Sequence, residues 1–97
     1  MNFNEVIQVI GTERQYQELM EQEPDSHVIT NFNLGDALLA IEFNLEKAKE
    51  AKYPNIDPEY KECMEYLRKV AAICVKMGEK YGMPKRDVPV FVSKEPK

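Results

Sequence analysis

Histidine and cysteine are scarce in this chain, with one of the first and two of the second among 97 residues. With His27 the only imidazole, zinc sites of the Cys/His type are excluded, and His27 itself reads as a surface or hydrogen-bonded residue of a loop. Cys63 and Cys74 fall on one helical stretch, ~16 Å apart at the usual rise per residue, too far for a disulfide. Both sit on an apolar face and read as small buried hydrophobes. Glycine is also sparse, and neither a Gly-rich phosphate loop, nor a nucleophile–base signature, nor an internal repeat occurs. Basic charge is in deficit, 13 Lys and Arg against 17 Asp and Glu, for a net charge of −4. The chain therefore has no basic footprint for a nucleic-acid duplex. No apolar run approaches ~20 residues, and the N-terminus lacks a basic-then-apolar leader pattern. A cytoplasmic protein without a membrane partner is expected.

What is present is helix. The stretch from Asp57 to Gly82 has a start signal (Asp57 as cap, Pro58 in the first turn) and a stop signal (Gly82, then Pro84). At ~100° per residue, Tyr60, Met64, Leu67, Val70, Ala71, Val75, Met77 and Tyr81 share a broad face. That face is wide enough for two partner helices. Gly78 lies within it, where a neighbouring backbone can come close.

A first helix is expected from about Asn4 to Glu21, with Phe3, Val6, Ile7, Ile10 and Met20 as its stripe. Glu13 and Gln17 fall in the middle of that stripe and Arg14 at its margin. A buried polar group without a partner costs ~1–3 kcal/mol, so Glu13 and Gln17 either meet partners or line a cavity. Residues 22–32 read as a loop. Asn33 and Asp36 resemble a capping box that opens a second helix over Leu34 to Lys52, with Leu34, Ala37, Leu38, Ile41, Leu45 and Ala48 inward. Leu39 and Phe43 project from its other side. They are expected to form a homo-oligomer surface, or else to be covered by the N-terminal loop or the C-terminal tail. Glu42, Glu46 and Glu50 follow one another at i+4, a spacing that suits a divalent cation or an ordinary solvated charge pattern. A short connection, Ala51 to Ile56, makes helices two and three antiparallel neighbours.

The expected fold is all-α. Residues 1–86 make a single small three-helix domain with a long antiparallel helical hairpin, and 87–97 form an extended or disordered C-terminal tail. A chain this short buries only ~60–65% of its unfolded surface, so assembly into a larger oligomeric bundle would extend its core.

Three segments together resemble a family of short phage and prophage proteins. They are Glu13-Arg14-Gln15-Tyr16-Gln17 (ER-x-YQ), Gly35-Asp36-x-Leu38-Leu39-x-Ile41-Glu42, and Leu67-Arg68-Lys69-Val70-Ala71-Ala72 followed by Gly82-x-Pro84-x-Arg86. The resemblance spans about residues 5 to 86. More distantly, the glutamate-bearing hairpin is similar to the all-α nucleotide pyrophosphohydrolases of the MazG type. Those enzymes hold magnesium with an E-x-x-E pair and an E-x-x-D pair on successive helices, and the metal activates water. Here Glu42 and Glu46 stand at i+4, and Arg68 with Val70-Ala71-Ala72 occupies the place of the second acidic pair.

Three functions follow as expectations. The first is a non-enzymatic module that needs no cofactor and binds a small anionic, nucleotide-like ligand. Glu13, Arg14, Tyr16, Gln17, Arg68, Lys69 and Arg86 would form its pocket at a subunit interface. Arginine matches phosphate with a planar fork, and tyrosine can stack on a base. For a phage-type protein this would suit sequestration of a host nucleotide signal. The second is a magnesium-dependent pyrophosphohydrolase with Glu42 and Glu46 as metal ligands. The third is a structural or protein-partner module in which Glu13 and Arg68 form an interhelical ion pair.

Overall fold

The computed structural model describes residues 1–23, 32–52 and 60–87. These form three helices, α1 (Phe3–Gln22), α2 (Leu34–Lys52) and α3 (Lys61–Tyr81), and no strand appears among the described residues. His27, the loop around it, Asp57, Pro58 and Val88–Val92 lie outside the described residues, so the expectations attached to them do too.

The helices begin in two ways. The Asn2 side chain accepts from the Glu5 backbone N–H at 2.8 Å, and the Glu5 carboxylate accepts from the Asn2 N–H at 2.8 Å. This reciprocal box satisfies two donors that the first turn would otherwise strand. The expected box at α2 is also present, with Asp36 N–H to Asn33 Oδ1 at 2.8 Å and Asn33 N–H to Asp36 Oδ2 at 3.1 Å. By contrast, α3 starts at Lys61 behind Tyr60, which is left-handed at φ 55° and makes no side-chain cap bond. At its other end Gly82 has φ 82°, as its place after the helix predicts, and donates its N–H to Gly78 O at 2.9 Å.

The helices run up, down and up, with α3 in the middle. The order of contacts sets the directions. Lys80 at the end of α3 reaches the Phe32 carbonyl at 2.8 Å, just before α2, and Ala37 packs with Ile73 and Met77. So α2 and α3 are antiparallel, as expected. Along α1, Glu13 meets Arg68 and Glu21 meets Lys76, so α1 runs parallel to α3. Among the described residues α1 and α2 do not approach each other. The arrangement is an open layer on α3.

The inward face of α2 matches the expectation in part, with Ala37, Ile41 and Ala48 turned inward and the three leucines not. Ala37 and Ala48 are buried, while Leu34, Leu38 and Leu45 are 48%, 56% and 40% exposed. A line of alanines lets two helix axes come close, and the leucines beside it are left on the flank. Across the described residues no large side chain is fully buried. At Gly78 it is a side chain that comes close, and not a backbone: Met83 Cε lies 3.3 Å from where a Cβ would stand.

Candidate functional site

The seam between α1 and α3 is built from charge. Glu13, in the middle of the α1 stripe, is the one buried charged residue among those described. Its Oε1 accepts from Arg68 Nε at 2.8 Å. The next residue, Arg14, donates through Nε and Nη2 to Glu79 Oε1 at 3.0 and 2.7 Å, and Nη2 also meets Glu18 at 3.0 Å. Further along, Lys76 pairs with Glu21 and stands 4.7 Å over the Phe32 ring. Burial pushes the Lys76 ammonium below the usual lysine range. Arg14 and Lys80 push the same way, against Glu18 and Glu79. The Glu21 carboxylate in contact with it also favours the charged form. Two buried atoms on this seam, Arg14 Nη1 and Gln17 Oε1, have no hydrogen-bond partner.

Beside the N-terminal half of the seam lies a groove of about 590 Å³. Val6, Val9 and Ile10 of α1 and Met64, Leu67 and Ala71 of α3 make its apolar walls; Lys61, Glu65 and Arg68 supply polar groups. Its size is that of a small-molecule site, and such sites combine apolar walls with a few placed polar groups.

The residues expected at a ligand pocket separate here. Glu13, Arg14 and Gln17 lie on the seam, and only Arg68 both joins the seam and lines the groove. Tyr16 is exposed. Lys69 stands 5.1 Å over the Tyr66 ring, and Arg86 is exposed beyond the end of α3. The partners Glu18, Glu21, Lys76 and Glu79 were not expected, yet one signal for them exists. Arg68 and Glu79 are eleven positions apart, about three turns, and therefore share a face.

On α2, Glu42 and Glu46 are both exposed, and Glu46 takes Lys49 at 3.1 Å. No cluster of three or more His, Cys, Asp or Glu able to hold a metal forms among the described residues. Arg68 brings a cation where the hydrolase resemblance needs a second acidic pair. The donor set does not fit a magnesium centre of that kind. Leu39 and Phe43 are exposed, with Lys47 Nζ 5.5 Å over the Phe43 ring. No helix among the described residues is long and apolar enough to cross a membrane. Compared with protein-family models, curated proteins and solved structures, the chain gives no match.

Proposed function

We propose that this chain is a non-enzymatic helical binding module that works as a homo-oligomer in the cytoplasm and captures a small anionic, nucleotide-like ligand. The observation that carries this reading is the position of Arg68 on the wall of an open groove. Glu13 engages Arg68 through Nε, the guanidinium nitrogen nearest the chain. A phosphate can therefore meet the terminal nitrogens of the same fork while Glu13 holds it in place. The apolar walls would carry the rest of the ligand. Tyr16 and Arg86, exposed on one copy, are available to complete the groove of another. In a phage-type protein such a module would sequester a host nucleotide signal.

A thermal-shift screen against mono-, di-, tri- and cyclic nucleotides, with and without magnesium, tests the reading. A ligand at 100 times its Kd stabilises by ~2.7 kcal/mol, several degrees in so small a domain. The expected result is a shift without magnesium, loss of that shift in Arg68→Gln, and recovery of the nucleotide intact. Pyrophosphate release that needs magnesium would overturn it in favour of a hydrolase. The absence of any shift would leave a second reading, a protein-partner module, which the Glu13–Arg68 ion pair favours.

A further inference from the structure

The polar side chains that line the groove all come from one face of α3: Lys61, Glu65 and Arg68. Spacings of four and three residues set them in a row, about 5–6 Å from one Cβ to the next. The row reads cation, anion, cation. Glu13, expected in the ligand pocket, is instead buried on the seam with its carboxylate on Arg68. Glu65 is therefore the carboxylate that the groove offers to a ligand. It is exposed, and no ion pair given for the described residues engages it.

An ionised carboxylate only accepts hydrogen bonds, so Glu65 calls for donors on the ligand and repels a phosphate placed on it. Within a nucleotide, the ribose 2′- and 3′-hydroxyls are adjacent donors that the two oxygens of one carboxylate can take together. Acidic side chains at dinucleotide sites hold ribose hydroxyls by the same chemistry. The ribose also lies next to its 5′-phosphate. A phosphate on the terminal nitrogens of Arg68 thus brings the hydroxyls to the neighbouring place in the row. We propose that Glu65 is the specificity-determining residue of the groove and selects a ribonucleotide, accepting from the ribose hydroxyls while Arg68 holds the phosphate. The assignment rests on the nucleotide reading of the groove and narrows it to ribose-bearing ligands.

The test is calorimetric titration of the full chain, without magnesium, with the 5′-monophosphates of adenosine, guanosine, cytidine and uridine, each beside its 2′,3′-dideoxy counterpart. For the base that binds best, the dideoxy form should bind at least about ten-fold more weakly, as loss of hydrogen bonds to a charged group implies. In Glu65→Ala the two forms should bind alike. Glu65 is exposed and alanine is the best helix former, so this variant keeps its fold, which retained helicity checks. Equal binding of both forms by the unaltered chain would overturn the assignment and leave the nucleotide reading standing. A ribose preference that survives Glu65→Ala would also overturn it. Absence of binding by every one of these nucleotides would remove the nucleotide reading and the assignment together.

Discussion

Glu13 carries a carboxylate into the middle of an apolar stripe, and the fold tolerates it because Arg68 arrives from α3 at 2.8 Å. The Glu13 side chain is 9% exposed and that of Arg68 34%, so the two partners are unequal. Removing Arg68 strands a buried acid, whereas removing Glu13 leaves a cation that water still reaches. Arg68→Ala should therefore destabilise by about 2–3 kcal/mol and Glu13→Ala by less. A double-mutant cycle by urea unfolding should give a coupling of at least ~1 kcal/mol. Additive losses would mean that the ion pair contributes nothing of its own. That Glu13 needs a partner is legible in the sequence, since a carboxylate in such a stripe is costly. Arg68 as that partner is legible as one of the readings, and the structure bears it out. Which of the adjacent Arg68 and Lys69 reaches α1 depends on how far α3 is rotated, which the sequence leaves open. Arg14 shows the same limit, because its Glu79 partner lies on another helix at a height that only packing decides.

At the scale of the helix, starts and stops were the most readable features, because capping is local chemistry. Asn33 and Asp36 bound α2 where their spacing predicts. Asn2 and Glu5 carry the same Asn-x-x-acid signal for α1. The start of α3 is where local signals and structure part: the helix begins at Lys61, behind a left-handed tyrosine. A residue with a Cβ in that conformation costs roughly 1–2 kcal/mol. Tyr60→Gly removes the cost but loosens the unfolded chain. A net rise of up to about 1 kcal/mol in unfolding free energy is expected by urea denaturation, and a clear loss would show that the tyrosine ring contributes more than its backbone costs. Face assignment on α2 was only partly legible. Alanine and leucine lines both read as apolar on a wheel, and close approach to α3 selects the alanines. That choice leaves Leu34, Leu38 and Leu45 on the flank.

At the scale of the whole molecule, the described helices bury Ala37, Ala48, Ala72, Ile73 and Met77 and leave many large apolar side chains exposed. Fully burying a leucine is worth about 1.5–3 kcal/mol, and Leu34, Leu38 and Leu45 each keep roughly half of that unrealised. Leu39 and Phe43 add a second apolar patch on the same helix. Covering them is a larger gain than anything the charged seam offers, which is why assembly is central to the proposed function. The all-α three-helix fold was legible because the hydrophobic period marks all three helices, and the Asn33/Asp36 box and Gly82 mark the start of α2 and the end of α3. The openness of the layer was not, since it depends on α1 and α2 choosing separate sides of α3. The most direct measurement is the mass of the chain in solution by light scattering across a dilution series, alongside Leu38→Glu and Phe43→Glu. The expected mass is at least twice 11.3 kDa, falling to the single-chain value in at least one of the two variants while helicity is retained. A mass of 11.3 kDa at every concentration would contradict it.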